Sequence, residues 1–198
     1  AGGLAVVTSD TLSQTRLSLS PLSDATEKKL KQFLPSSASI HNPVDIVGDA
    51  DSLRYKNTLR AVLADENVHA VIVLLTPQTV TEIEETAKII VSEFQKFKKP
   101  VCVCFLGGKS VSTGIKILQK KKIPTFEFPH EAVIAIDKMF QYQDNLKKIA
   151  TVSSAMYKKI TLSLESYNAF NSIIQNEKKD KKKQLHFKDC YKFLLSYE

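Results

Sequence analysis

The chain has 198 residues, 43% of them apolar, and a formal net charge of +7. That length allows one sizeable hydrophobic core and a tail, and no apolar run approaches the ~20 residues of a membrane-spanning helix, so no membrane partner is expected. Much of the positive charge lies in the block 178–183. Because a nucleic-acid site needs basic residues on a folded face, this block is interpreted as a solvated linker, and no nucleic-acid partner is expected. Nucleic-acid binding stays the weaker alternative.

Helix and strand signals alternate from the start of the chain. The glycine pair at 2–3 leads into a helix that is expected to be short and buried, and residues 17–19 alternate leucine with serine as in a weak strand. Ser23 is an N-cap residue, which predicts a helix that ends near Pro35. Because a glycine turn into a helix ordinarily follows a strand, the first strand of the sheet is expected upstream of Ala1.

A second strand and a second amphipathic helix are predicted next. Residues 42–47 can form a short strand, because Pro43 keeps Asn42 out of the helical region. Asp51 is predicted to cap the helix that follows. The apolar face of that helix is expected to contain Leu53, Leu59, Val62 and Leu63.

Two continuous apolar runs, 69–75 and 100–106, are typical of strands buried on both faces of a sheet. The other elements are predicted as helices over 82–97, over 110–122 and from 131 onward, and as a strand over 124–128. Strands that alternate with helices of this length predict an α/β fold, with a doubly wound, mostly parallel sheet and helices on both faces.

The three cysteines give no disulfide framework. Cys102 and Cys104 alternate within the second apolar run, so both side chains are expected to point toward one helix layer as buried thiols in a reducing compartment. A cytoplasmic location is therefore expected. The histidines have no metal-ligand spacing, and no complete catalytic set is found, so no metal or catalytic residue is assigned.

Three loops are expected at the carboxyl ends of the strands, where open parallel sheets bind ligands. Each is predicted to run into a helix N-terminus, whose N–H groups and dipole favour an anion. The loop residues are Gly2 and Gly3; Thr76, Pro77, Gln78 and Thr79; and Gly107, Gly108 and Lys109. Their spacing matches neither a P-loop nor a dinucleotide fingerprint, so ordinary tight turns are an equal alternative.

Several sequence blocks nevertheless occur in a specific order. They are AGGLAVVTSD at 1–10, NPVD at 42–45, GDA at 48–50, LLTPQ at 74–78 and FLGGKSV at 105–111. In this order the chain resembles the ADP-forming acyl-CoA synthetases (acetate–CoA ligases), which are relatives of succinyl-CoA synthetase. The resemblance covers about 1–142 and implies a ligase domain with a flavodoxin-like sheet. It further implies a lysine-rich linker at 143–184 and the first helix of an ATP-grasp domain at 185–198.

The resemblance also implies an activity. These enzymes convert an acyl-CoA, ADP and phosphate to a carboxylic acid, CoA and ATP through a phosphohistidine. That histidine lies in a Ser-His-Thr-Gly loop of another domain, a motif this sequence lacks, so the chain alone is expected to be inactive. Residues 76–79 and the adjacent turn at 2–3 would hold the phosphorylated loop, with residues 107–109 as a further possible contact.

Cofactors and partners follow from the same resemblance. CoA and ATP or ADP with Mg²⁺ are expected to bind mainly to other domains. The partners would be the CoA-binding, phosphohistidine and ATP-grasp domains or subunits of the same synthetase, in a homo- or hetero-oligomer. The alternative is a non-catalytic regulatory or dimerisation module of a protein acyltransferase-like protein. Flanking sequence would distinguish the two.

Overall fold

A computed structural model describes residues 2–159, 168, 171–172 and 174–175 of the chain. By its contacts the chain divides into two compact units, 1–143 and 144–198. The lysine block at 178–183, which is interpreted as a linker, and the predicted ATP-grasp helix at 185–198 lie outside the described residues.

A parallel three-stranded sheet forms the centre of the first unit. Its order is β1 (Val71–Leu75), β2 (Val101–Phe105), β3 (Thr125–Phe126). β1 and β2 pair over five residues, with Val71 opposite Val101, and β3 pairs with the other side of β2. The strands are rich in β-branched and other apolar residues because both faces of a parallel sheet are covered by helices.

Three helices cover one face of the sheet. They are α3 (Ser52–Ala64), α4 (Ile83–Lys96) and α5 (Ser112–Lys120). The main core forms between these helices and alternate strand residues. Its fully buried members include Leu63, Leu75, Ile90, Val103 and Leu118.

The other face packs against α6 (Pro129–Lys159). Cys102 and Cys104 point into this second cluster together with Ala132 and Ile136, which confirms the prediction that both thiols face one helix layer. Helices therefore lie on both faces of a parallel sheet, as the doubly wound α/β prediction requires.

Two short helices precede α3, namely α1 (Gly2–Leu12) and α2 (Asp24–Lys31). Ser23 caps α2 by accepting a hydrogen bond from the Thr26 N–H, and Asp51 caps α3 by accepting one from the Arg54 N–H. Both N-caps match the sequence prediction, because the oxygens of serine and aspartate satisfy N–H groups that a first turn leaves open.

Two predicted strands are absent from the described part of the fold. Residues 17–19 are irregular, and 42–47 contributes only an isolated antiparallel bridge between Ser39 and Asp45. The Asn42–Pro43 peptide bond there is cis. A cleft separates 42–47 from β1, so the segment has no neighbouring strand with which to form a ladder.

Predicted burial was also wrong in places. α1 buries only Thr8 and Leu12, while Val6 is 60% exposed, because only one side of this helix packs on the domain. Leu53 is 56% exposed, so it does not share the buried face of α3. On β1, Ile72 and Leu74 are only half-buried. The apolar character of these residues did not show which side of each helix or strand would be buried.

The long helix α6 starts at Pro129, a favoured first helical residue, and continues to Lys159. The first part of the predicted linker at 143–184 is therefore helical. The predicted domain boundaries stay predictions. Within the described residues, no helix has the length and apolar character needed to cross a membrane.

Candidate functional site

Two of the three predicted loops touch directly. A Cβ atom placed on Gly107 would lie 2.7 Å from Pro77 Cγ and 2.8 Å from Ser110 Oγ. Only glycine leaves room for this approach, so the loop after β2 packs against the loop after β1. Both loops lie at the carboxyl ends of their strands, where parallel sheets bind ligands.

The first predicted loop lies in the same region. Gly2 and Thr76 line one cleft, and a Cβ on Gly2 would be 3.3 Å from Asp45 Oδ2. The start of α1 therefore adjoins the loop that carries Asp45 and faces the same cleft as Thr76. The structure thus brings Pro77 and Gly107 into contact, and it places Gly2 beside Asp45, which the loop analysis missed. The short NPVD block was the only sequence signal for that carboxylate.

The loop after β1 is closed by its own hydrogen bonds. The Gln78 N–H donates to Thr81 Oγ1 at 2.9 Å, and the Thr81 N–H donates to the Gln78 carbonyl at 3.0 Å. α4 starts only at Ile83. The helix thus begins within one residue of the predicted position, and a hydrogen-bonded turn over residues 78–81 lies between the loop and the helix.

The helix N-termini near this edge differ in charge. α4 carries Glu84 and Glu85 in its first turn, which oppose a bound anion. The first turn of α1 contains no acidic residue, and the 3₁₀ turn Gly108–Val111 contains Lys109 instead. On charge alone, α1 and the turn after β2 are more favourable to an anion than α4 is, although the Asp45 carboxylate adjoins Gly2.

Glu82, just before α4, binds the N-terminus of a different helix, α3. Its carboxylate accepts a hydrogen bond from the Ser52 N–H at 3.1 Å, at the start of α3. Hydrogen bonds from the Ser52 side chain and backbone hold the pKa of Glu82 below its ordinary value. This contact ties the loop after β1 to the first turn of α3, and so helps to fix the loop in place.

The cleft beside β1 has a volume of about 400 Å³. Its walls are one side of α1, the loop 42–48, and the outer edge of β1 from Ala70 to Leu74. Tyr55 lies in the cleft and donates to the Leu74 carbonyl at 3.4 Å. Burial, and then the charge of Asp45, raise the pKa of the Tyr55 hydroxyl to about 12, so it stays a neutral donor at physiological pH.

Neither of the two described cysteines nor any acidic cluster suggests redox or metal chemistry. Burial raises the pKa of Cys102 to about 11 and that of Cys104 to about 12, so both thiols stay protonated at neutral pH. Among the described residues, no group of three or more histidine, cysteine or acidic side chains is placed to hold a metal ion.

Taken together, the fold and these loops define a class: a doubly wound α/β domain whose glycine- and proline-containing turns meet at the carboxyl edge of a parallel sheet. The chain belongs to the Ligase-CoA domain family, whose model matches residues 1–149.

Curated relatives agree with this assignment. The chain is 37% identical over 142 residues to an acetate–CoA ligase [ADP-forming] I of Archaeoglobus fulgidus, covering 72% of this chain and 20% of the relative. It is 31% identical over 147 residues to a 4-hydroxybutyrate–CoA ligase [ADP-forming] of Nitrosopumilus maritimus, covering 74% and 21% respectively. The chain thus spans about a fifth of the length of these relatives.

Solved structures share the fold. A dinucleotide-forming acetyl-coenzyme A synthetase 1 of Ca. Korarchaeum cryptofilum, in complex with phosphate and ADP, superposes with a TM-score of 0.67 at 29% identity. The match covers 82% of this chain and 34% of that one. PH0766 from Pyrococcus horikoshii OT3 matches with a TM-score of 0.64 at 32% identity, over 67% of this chain and 32% of that one.

Proposed function

We propose that this chain is the ligase module of an ADP-forming acyl-CoA synthetase. The observation that carries the proposal is the family match over residues 1–149, joined to relatives that are named as ADP-forming CoA ligases. The longer protein would convert an acyl-CoA, ADP and phosphate to a carboxylic acid, CoA and ATP. None of the relatives named above is described as a regulatory protein, so their names favour the synthetase over the regulatory alternative.

The role of the module is to hold a phosphoryl group that another domain carries on a histidine. Phosphate displaces CoA from the acyl-CoA and forms an acyl phosphate. The phosphoryl group then passes to the histidine nitrogen, which releases the carboxylate, and from there to ADP. Backbone N–H groups fixed in advance lower the free energy of the doubly charged group without reorganising during transfer.

The residues proposed for this role are those of the three loops. Gly2 and Gly3 begin α1, whose first turn has no acidic side chain, and this supports an anion there. Thr76 and Pro77 place the neighbouring turn, where the Gln78 N–H is already engaged by Thr81. The other N–H groups of that turn and the Gln78 amide are the proposed donors, with residues 107–109 as an outer contact.

Binding of CoA, and of ADP or ATP with Mg²⁺, is assigned to other domains of the longer protein. The proposed partners are the CoA-binding, phosphohistidine and ATP-grasp domains or subunits, in a cytoplasmic homo- or hetero-oligomer. This chain would contribute only the acceptor surface for the phosphorylated loop.

Gln78→Ala and Thr79→Pro test the proposal in the longer protein. Each removes a donor from the turn, and loss of one such donor typically lowers the rate of the chemical step about 100-fold. The measurement is the rate at which phosphate moves from labelled histidine to ADP. Gln95→Ala, an exposed change on α4, is the control and should leave the rate unchanged. Normal transfer in both loop variants, with the fold intact, would refute this role.

A further inference from the structure

The segment 94–126 carries charge of only one sign. It contains eight lysines and no aspartate or glutamate, whereas the first turn of α4 carries Glu84 and Glu85. Six of the lysines fall into two groups, at the ends of α4 and α5, and these groups are called the basic edge below. They are Lys96, Lys98 and Lys99, and Lys120, Lys121 and Lys122. A surface of this kind attracts a partner of opposite charge.

Both groups of lysines lie where the strands of the sheet begin. The Val71 N–H donates to the Pro100 carbonyl at 2.9 Å, and the Val103 N–H donates to the Pro124 carbonyl at 3.0 Å. The loops that lead into β2 and β3 are therefore neighbours, and α4 and α5 pack against each other. The basic edge thus lies at the amino ends of the strands, whereas the turns of the candidate site after β1 and β2 lie at the carboxyl ends.

Most of the lysines of the basic edge have no partner inside the domain. Lys96 Nζ donates to Glu93 Oε1 at 2.8 Å, and Lys99 Nζ donates to the Asp65 carbonyl. The other lysines are exposed and form no ion pair among the described residues. They are Lys98, Lys120, Lys121 and Lys122. Their ammonium groups are therefore available to an outside partner.

The needs of the local backbone do not explain all of these lysines. α5 ends in a Schellman motif, in which the Lys122 N–H donates to the Gln119 carbonyl at 2.9 Å. The Ile123 N–H donates to the Leu118 carbonyl at 3.1 Å, and Lys122 has a φ of 59°. Glycine is the usual residue at this left-handed position, because a side chain strains it. The helix dipole favours cations in a last helical turn, but Lys98 lies beyond the end of α4.

The composition of the basic edge indicates the chemistry of its partner. The segment 94–126 contains no arginine, and Phe97 packs half-buried against the core. Among the described residues, no exposed large apolar side chain lies in this segment. Recognition of RNA bases uses arginine and exposed aromatic rings, and helices that lie on membranes insert apolar side chains. Lysine ammonium groups are compact, strongly hydrated charges, so this surface acts through charge alone and suits carboxylates.

We propose that the basic edge is a docking surface for an acidic segment of a partner protein, whose aspartate and glutamate side chains pair with the exposed lysines. Complementary charge of this kind speeds association and selects against basic partners. Because the basic edge lies at the opposite ends of the strands, the partner would leave the turns after β1 and β2 accessible. The proposal does not depend on the phosphoryl chemistry proposed for those turns.

The test measures how the 198-residue chain binds a labelled peptide of alternating glutamate and glycine, by fluorescence anisotropy. The edge variant carries Lys98→Gln, Lys121→Gln and Lys122→Gln. The matched control loses the same charge from the lysine block at 178–183, through Lys181→Gln, Lys182→Gln and Lys183→Gln. Amide shifts of the unaltered chain locate the bound peptide, which provides a second measurement if the edge variant does not fold. A uridine oligonucleotide and phosphatidylserine vesicles are tested in the same way.

The proposal predicts that the edge variant binds the peptide about tenfold more weakly than the unaltered chain, because several exposed ion pairs are lost together. The control should change the affinity by about twofold at most, and added salt should weaken binding because it screens exposed charges. Shifts should concentrate at 97–99 and 120–122. Equal losses in both variants, shifts confined to the lysine block, or no binding of the peptide would overturn the proposal. Tighter binding of the oligonucleotide or the vesicles than of the peptide would also overturn it.

Discussion

Glu93 shows how a single residue links distant parts of this fold. Its side chain is fully buried, and its oxygens accept hydrogen bonds from Arg60 Nε at 3.0 Å, from Arg60 Nη2 at 2.8 Å and from Lys96 Nζ at 2.8 Å. A carboxylate without these partners would face a large desolvation penalty. The Arg60 contact joins α3 to α4, so the charge pairing fixes how these two helices lie on each other.

Arg60→Ala should lower the free energy of unfolding by about 2–4 kcal/mol, because it leaves a buried carboxylate with only one cationic partner. Lys88→Ala is the matched control. It breaks an exposed pair with Glu85, and such pairs contribute less than about 1 kcal/mol. Urea unfolding of both variants measures the difference. Equal losses would show that the Glu93 pairing does not stabilise the fold.

Acid should destabilise the fold through two carboxylates. Hydrogen bonds from Arg60 lower the pKa of Glu93 from 4.5 to about 2. Burial alone would raise the pKa of Asp65, but hydrogen bonds from Thr26, Ser23 and Asn67 outweigh it and bring that pKa to about 2. Because the folded pKa values lie below the unfolded ones, this stabilisation is complete above about pH 4.5 and is lost as the pH falls toward 2.

Unfolding free energies measured at several pH values check this prediction. The wild-type chain should lose stability steeply between pH 4.5 and 2, and Glu93→Gln should show a shallower loss in that window, because the neutral amide does not titrate. If the two pH profiles ran parallel, Glu93 would not be a source of the acid sensitivity.

At the scale of elements, the parts that follow from local patterns were predictable. The buried strands β1 and β2 and the helix α4 come from continuous apolar runs and helical spacing. The N-caps at Ser23 and Asp51 were predictable because short side chains with an oxygen accept hydrogen bonds from the unpaired N–H groups of a first helical turn. Local spacing could not show that 42–47 lacks a neighbouring strand, because that depends on what lies beside it in space.

The candidate site, too, was predictable only in part. The glycine and proline turns after β1 and β2 could be located from sequence, because each follows a buried strand. Two contacts could not be located from sequence, because each joins residues 30 or more positions apart. They are the contact of Gly107 with Pro77 and that of Gly2 with Asp45. The turn that closes Gln78 on Thr81 was also missed, because a threonine hydroxyl can serve many roles in a loop.

Gly107→Ala should disturb the contact between the two loops. The new Cβ would overlap Pro77 and Ser110, and forced overlap of this kind costs about 1–3 kcal/mol or moves the loop. Gly48→Ala is the control, because a Cβ there meets no atom within 4 Å. Unfolding midpoints and the amide shifts of residues 76–81 report the effect. Unchanged shifts and stability in Gly107→Ala would mean that the loops do not pack as described.

At the scale of the whole molecule, the chain matches one domain of longer relatives. It spans about a fifth of the two relatives named above, and among the described residues no group of histidine, cysteine or acidic side chains is placed to hold a metal ion. A domain of this kind can stabilise a charged group that is delivered from elsewhere. The central claim is therefore that the phosphorylated residue lies in another domain of the longer protein.

Labelling with γ-³²P-ATP tests this claim most directly, on the 198-residue chain and on the longer protein in parallel. The account predicts an acid-labile, base-stable phosphate on the longer protein only, discharged by CoA together with a carboxylic acid. Acid-labile label on the 198-residue chain itself, or its absence from the longer protein, would contradict the account.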